Sequence, residues 1–580
     1  MGRHNDRPTA EETASRLSRR TALRLLGGAS AAAFLSACGN TAPPTMTSAP
    51  GGVTVPTIAP TTKAPGGAAL TGTTVTSPLA PRTTTAPVAA GTPTGSPAAA
   101  AAPSVVSTEI QIVNSGAKLP VDKVTFHWVD SGDQKAVFFK RYFDLYQKTY
   151  PNIAVQYDPL PWNEIGKIVP LGVQNGNAPD VFQVPLNVPA PQAVQEGWVA
   201  PLDDVIPNFA QWKAAFPPGA FVNGITDFNG KTYTIPLTSN QRYDTLTLYN
   251  IDLLQRAGYD PGAKPLTWDE FRSAAKKVTE QGKGQYYGLI FEGNQTNRFG
   301  AFVSNLGRMA DAPGNSGTAA NSNINWKTGE FNYTSDQYLA ALALLLAIKV
   351  DGSIFPGSLS LNAPQARAQF PNGVAGMILQ GPWNVPQWLA DSPNFKFGVG
   401  SQPVPNTGTP IPLSYAPGGA NQLWVYAKSP HKAIAGDIFH YLGSLAGQSA
   451  WGTVSDGADA PIFPEASKAA QLDPQARTAQ SLFDQQLRLG PAPEVRNPDV
   501  SKVSLELKTL QPDFGQVIQG LYTGQLKDAK AAMKDLQDRS EAELQRAIKA
   551  AQGKGAKVSR DDWTFANWDP TKDYTQADYK

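Results

Sequence analysis

Four histidines (His4, His127, His431 and His440) and one cysteine, Cys38, are all the imidazole and thiol chemistry that this 580-residue chain carries. They form no His-Glu-x-x-His helix, and no Gly-x-Ser-x-Gly elbow is present. The acidic run Asp456-Gly457-Ala458-Asp459 lacks the spacing of a calcium loop. No metal site and no cofactor is therefore expected. Carboxylates are plentiful, and glycoside hydrolysis needs only two of them about 5–9.5 Å apart, so a secreted glycoside hydrolase stays open on residue chemistry alone. More distinctive are aromatic and short polar side chains at the ends of expected strands. Trp383 follows Gly381-Pro382 at a strand-to-helix corner, and Trp162 follows Pro159-Leu160-Pro161 in a loop. Asp130 and Gln134 close the first expected strand, and Asn187 follows another. Asn240 and Gln241 come after Pro236, Glu292 and Asn294 after Tyr287–Phe291, and Gly419 and Asn421 after Gly418. Aromatic faces stack on C–H surfaces while short polar groups bond hydroxyls, which suits a neutral polyol. The competing readings are core tryptophans, solvated loop residues and helix caps. A peptide or polyamine receptor would need a cluster of fixed charge, and none stands out.

The elements that must position these residues alternate between strand and helix. Val124–Val129 is strand-like, and Phe138, Phe139, Tyr142, Leu145 and Tyr146 then fall at helical spacing. Strands are expected at Ile153–Tyr157 and Asp180–Val184. Helices are expected at Thr267–Gln281, Ser335–Val350, Lys432–Leu445, Arg477–Leu489 and Asp528–Ala551. Thr267 and Glu270 are placed for a capping box, and Asn229-Gly230 for a hairpin turn. The apolar stretch Tyr338–Ile348 is too short to span a membrane. The pattern predicts an α/β fold with mostly parallel sheet.

The N-terminus reads as an address. Ser18-Arg19-Arg20-Thr21-Ala22-Leu23-Arg24 is a twin-arginine export pattern, and the uncharged stretch Leu25–Ala37 follows. Leu35-Ser36-Ala37-Cys38 resembles the lipobox of bacterial lipoproteins, which implies cleavage before Cys38, lipid on its thiol and attachment to the outer face of the cytoplasmic membrane. Loss of residues 1–37 removes six basic and three acidic side chains and leaves 43 basic against 44 acidic. A charge so near zero gives no reason to expect nucleic acid as a partner. Residues 38–118 are rich in Thr, Pro and Ala and predict a disordered tether, whose ~70 most biased residues would span on the order of 45–50 Å.

Eight short motifs in fixed order carry a family resemblance. They are Asn177-Ala178-Pro179-Asp180-Val181-Phe182, Gly197-Trp198-Val199-Ala200-Pro201-Leu202, Gly230-Lys231-Thr232-Tyr233-Thr234-Ile235-Pro236 and Leu248-Tyr249-Asn250-Ile251-Asp252-Leu253-Leu254. Then come Pro265-Leu266-Thr267-Trp268-Asp269-Glu270-Phe271, Gly376-Met377-Ile378-Leu379-Gln380-Gly381-Pro382-Trp383, Pro417-Gly418-Gly419-Ala420-Asn421 and Lys428-Ser429-Pro430-His431-Lys432-Ala433-Ile434-Ala435. The chain resembles the extracellular solute-binding proteins of ATP-driven (ABC) importers, in the group that includes maltose-binding protein. The resemblance implies a two-lobed, type II periplasmic-binding-protein fold with discontinuous lobes, 119–238 with 415–470 and 239–414 with 471–550. Hinge strands are implied near Pro236–Tyr243 and Gly400–Tyr415. It also implies a monomer without catalytic activity that holds a carbohydrate between its lobes and delivers it to permease subunits, with Trp383 as the stacking residue. A receptor for a peptide, polyamine or osmolyte is the alternative. The Asp311–Asn325 stretch and the 551–580 extension depart from the family pattern.

Overall fold

The computed structural model describes residues 108–132, 135–314, 323–407 and 409–579. Arg19, Arg20, Cys38, Gln134 and most of the expected tether lie outside them. Thirteen strands occur among the described residues: β1 Val124–Asp130, β2 Ile153–Pro159, β3 Val181–Phe182, β4 Asp227–Phe228, β5 Lys231–Thr232, β6 Thr234–Ile235, β7 Leu246–Asn250, β8 Tyr287–Leu289, β9 Ala375–Gln380, β10 Phe397–Gly400, β11 Leu413–Tyr415, β12 Leu423–Val425 and β13 Leu487–Leu489. One sheet runs β2-β1-β3-β12-β6, with β1 parallel to β2 and β3 and with β12 antiparallel to both its neighbours. A second runs β10-β7-β9-β8, in which β8 and β9 are parallel and β7 is antiparallel.

Each sheet owns its core. On the first, Trp128 projects from β1 onto Phe139, Phe143 and Phe439, with ring centroids 4.9, 5.3 and 6.0 Å away. The helix Lys135–Thr149 presents Phe138, Phe139, Tyr142 and Tyr146 on its buried stripe, as their spacing predicts; Phe143 joins them, whereas Leu145, expected there, is exposed. On the second sheet the helix Thr296–Met309 is buried along nearly its whole length, and Asp336–Val350 packs beside it. Buried residues 126–237 and 423–466 belong to the first lobe, and 243–413 with 476–574 to the second. Between the lobes the chain passes three times. Thr238 bridges to both Ala420 and Pro461, and β11 pairs in parallel with β13.

Local chemistry explains where elements start and stop. The capping box forms: Thr267 Oγ1 accepts from the Glu270 N–H at 3.2 Å, and Glu270 Oε2 accepts from the Thr267 N–H at 2.9 Å. The helix expected at Arg477–Leu489 instead runs Pro474–Gln486, because Asp473 caps it and Pro474 opens it. Its last three expected residues form β13, since pairing with β11 satisfies their backbone. β3 is shorter than Asp180–Val184 because the Asp180 carboxylate ties other segments: it accepts from the His127 N–H at 2.8 Å and the Ser429 hydroxyl at 2.6 Å.

Both ends of the described chain differ from expectation. Residues 109–118, expected as tether, are fastened to the first lobe. Ile110, Ile112 and Leu119 pack on its core, the Gln111 N–H donates to Tyr441 Oη at 3.0 Å, and the Ser115 hydroxyl donates to buried Asp437 at 2.5 Å. The C-terminal extension is no appendage: Trp563, Phe565, Trp568 and Tyr574 lie in the second lobe's core. Phe565 meets Trp326 edge-on at 5.5 Å and donates its N–H to the Trp326 carbonyl. The extension thus packs on the chain that follows the Asp311–Asn325 stretch.

Candidate functional site

The first lobe offers its surface at the carboxyl ends of β1 and β3, where open α/β sheets bind ligands. Asp130 is turned inward. It is wholly buried at the end of β1 and accepts from the Gly132 N–H at 2.7 Å and from Trp128 Nε1–H and the Tyr157 hydroxyl at 3.0 Å each. Burial raises its pKa, against the pull of Lys135 and of these donors. The carboxylate is a post that fixes the loop. Gly132 must be glycine, because φ is +62° and a Cβ would stand 2.9 Å from Pro159. The exposed rim is built from neighbours. Trp162, half-buried, opens the Trp162–Asn175 helix; Asn187 is exposed beside Gly166 of that helix, and Leu186 is 74% exposed.

The second lobe repeats this division of labour. Glu292, expected to face ligand, is buried and held by Arg298 Nε–H at 2.6 Å. Arg298 also pairs with the Asp244 carboxylate and donates to the carbonyls of Asp244 and Leu379, at 2.7 and 3.0 Å. One guanidinium thereby ties the start of β7, the end of β9 and the loop after β8. Burial raises the Glu292 pKa despite Arg298. For Arg298, burial works against its charge, but the two carboxylates outweigh it and hold the proton more tightly. Asn294 is exposed in the next turn. Trp383 sits where β9 turns into the Asn384–Asp391 helix, half-buried, with its ring folded over Gly381 so closely that a Cβ there would lie 2.3 Å from it.

The lobes meet at Arg242, which lies in the first crossing and was not anticipated from sequence. Its guanidinium lies 5.8 Å from the Trp383 ring centroid and forms an ion pair with Asp459 of the first lobe. Asp459 Oδ2 also accepts from Asn421 Nδ2–H at 3.0 Å, and Asn421 reaches Thr238 Oγ1 at the same distance. Burial lowers the Arg242 pKa to about 10, so it stays charged at neutral pH. Beside it an interlobe cavity of about 160 Å³ is lined by Ser239, Gln241, Arg242 and Pro382 on one side and by Pro461 and Ile462 on the other. Two expected residues serve the frame. Asn240 Nδ2–H donates to the carbonyls of Ala416 and Gly419, at 3.1 and 2.7 Å, and Gly419 lets β-strand segments approach where a Cβ would lie 2.5 Å from Pro236. The structure therefore gathers Trp383, Gln241 and Asn421 around Arg242 and Asp459. It leaves Asn187 and Asn294 exposed and Trp162 half-buried, away from that group, and it uses Asp130, Glu292, Asn240 and Gly419 internally. Arg242 stands next to the anticipated Asn240 and Gln241; a charged residue in a crossing segment was the available signal.

Two α/β lobes, joined by three crossings around a cavity that both line, define the two-lobed periplasmic-binding-protein class. The chain belongs to the bacterial extracellular solute-binding protein family, whose model matches residues 131–449. It is 26% identical over 271 residues to a binding protein of Brucella abortus (strain 2308); the match covers 46% of this chain and 61% of that protein, less than two thirds of its length. It is 23% identical over 362 residues to the sn-glycerol-3-phosphate-binding periplasmic protein UgpB of Agrobacterium fabrum, covering 60% of this chain and 76% of that one. An ABC transporter solute-binding protein of Thermotoga lettingae, solved bound with α-D-tagatose, shares the fold with a TM-score of 0.55 at 19% identity, over 72% of this chain and 99% of that one. Among the described residues no helix is long and apolar enough to cross a membrane.

Proposed function

We propose that the protein captures a carbohydrate between its lobes and presents it to the permease subunits of an ABC importer, without catalysis. The observation that carries this reading is the group Trp383–Arg242–Asp459 at the junction of the lobes. It combines an aromatic face with planar donors and acceptors whose charges cancel, which matches a neutral polyol. A phosphorylated solute would favour an unpaired cation, whereas Arg242 is already paired; the glycerol-phosphate receptor among the relatives makes this the reading to test against. Thermal shift across mono- and oligosaccharides, ribitol-like polyols, glycerol 3-phosphate and polyamines is expected to single out a neutral sugar. Trp383→Ala is then expected to weaken its binding by about 1–3 kcal/mol. Stabilisation by the phosphate ester alone would overturn the neutral-sugar reading. The receptor acts as a monomer held by lipid on Cys38 after twin-arginine export. Cys38→Ala is expected to release it with binding intact, and paired lysines at Arg19 and Arg20 to stop export; surface display of that double variant would remove the export claim.

A further inference from the structure

The lobes also touch away from the hinge. Gly224 of the first lobe packs so closely on the second that a Cβ there would stand 3.2 Å from Glu494 Cβ and 3.4 Å from the Pro498 carbonyl. Nearby, the Val500–Ser504 helix lies against the first-lobe helix Ala190–Gln195. Here the second lobe meets the first through residues 494–504, part of the run of chain that begins at Leu489.

That run is two short helices and turns. Besides its own turn and helix bonds and the burial of Val500 and Val503 in the second lobe's core, it is tied repeatedly to the C-terminal extension. The Leu489 N–H donates to Asp573 Oδ1 and the Tyr574 N–H to the Leu489 carbonyl, both at 2.7 Å. The Ala492 N–H donates to Tyr579 Oη at 2.9 Å. Arg496 lies 4.0 Å over the Phe565 ring and donates to the carbonyls of Asp561 and Thr564. Asn497 Nδ2–H donates to the Lys557 carbonyl at 2.7 Å, and Asp499 Oδ2 accepts from the Lys557 N–H at 2.7 Å. Leu489 also ends β13, the second-lobe strand paired with β11, from which the second crossing departs. One strap therefore fixes both the strand beside that crossing and the face that meets the opposite lobe.

We propose that the C-terminal extension, residues 554–579, is a buttress that holds the second lobe's closing face in register with Gly224 and so sets the balance between closed and open lobes. This rests on the two-lobe capture reading for its consequence, which is the residence time of the solute. The closed state is stabilised only if the face is presented in shape; a loosened face lowers the closed fraction and with it the retention of anything held between the lobes.

The test is a deletion of residues 571–580. It removes Asp573, Tyr574 and Tyr579 and leaves Trp563, Phe565 and Trp568 in the core. Arg496→Gln is a second, milder variant should the deletion fail to fold. Spin labels at Leu171→Cys and Val350→Cys, exposed on opposite lobes, report the interlobe distance in the full chain carrying Cys38→Ala. Without added solute, both variants are expected to broaden the distance distribution and move it to longer values. In the presence of the sugar identified by thermal shift they are expected to raise its dissociation rate about tenfold, with association changed less than about threefold. An unaltered distance distribution in both folded variants overturns the buttress. Failure of every sugar to bind the parent chain counts against the carbohydrate reading alone, because the solute-free distances still decide the strap.

Discussion

Arg242 and Asp459 should be energetically coupled, and a double-mutant cycle between them measures the tie between the lobes. Arg242→Met keeps the aliphatic reach toward Trp383 but leaves the Asp459 carboxylate with only the neutral Asn421 amide to answer it in this group. Asp459→Asn keeps the shape and leaves a guanidinium without its counter-charge. Breaking a fully buried pair costs about 3–5 kcal/mol, and an exposed pair is worth about 0–1 kcal/mol. With 24% of the Arg242 side chain and 9% of Asp459 exposed, each single change should destabilise by about 2 kcal/mol, with a coupling of about 1–2 kcal/mol between them. Urea unfolding followed by tryptophan fluorescence gives all four corners of the cycle, and the pair's burial means that added salt should change the coupling little. Strict additivity, with a coupling under about 0.5 kcal/mol, would refute the claim that this pair joins the lobes.

Glu292→Gln should destabilise the second lobe by about 2–3 kcal/mol, since Arg298 loses its one fully buried counter-charge and keeps only the partly exposed Asp244, while sugar affinity in isothermal titration stays within about twofold. A large affinity loss with unchanged stability would return Glu292 to the ligand. Asp130 carries a raised pKa from a normal value of 3.8, so its proton is held more tightly in the folded chain; that stability is complete below about pH 4 and is lost as pH rises through the folded value. Melting temperatures of Asp130→Asn should accordingly fall less than those of the parent between about pH 4 and 7. Asp437→Asn weakens the acceptor of Ser115 and Tyr146 and should expose residues 109–118 to limited proteolysis, at a cost of about 1.5–3 kcal/mol.

Helical spacing and caps made much of the frame legible. Phe138 to Tyr146 announce a buried stripe, and Thr267 with Glu270 announces a helix start, because both signals are local. The Gly381-Pro382-Trp383 corner was legible for the same reason. What was not legible depends on where a carboxylate points. Asp130 and Glu292 stand at the strand ends that topology selects, yet Tyr157 and Arg298 arrive from distant segments and absorb them. β13 escaped because its pairing partner lies some seventy residues earlier in sequence, and the aromatic tail gave no sign of which core it would enter.

β12 lies between β3 and β6 in the first sheet, which has a consequence for how the chain comes off the ribosome. The first sheet cannot close until residue 425 has emerged, although its other strands end at residue 235. The second sheet is complete by residue 400, but its core waits for Tyr574, close to the last residue synthesised. At ordinary elongation rates that interval lasts on the order of tens of seconds. The first lobe, whose core ends at Ala466, can bury its apolar face before synthesis is finished. The second must wait for its last residues, so its folding is a late event dominated by contacts between distant parts of the sequence, and a slow one.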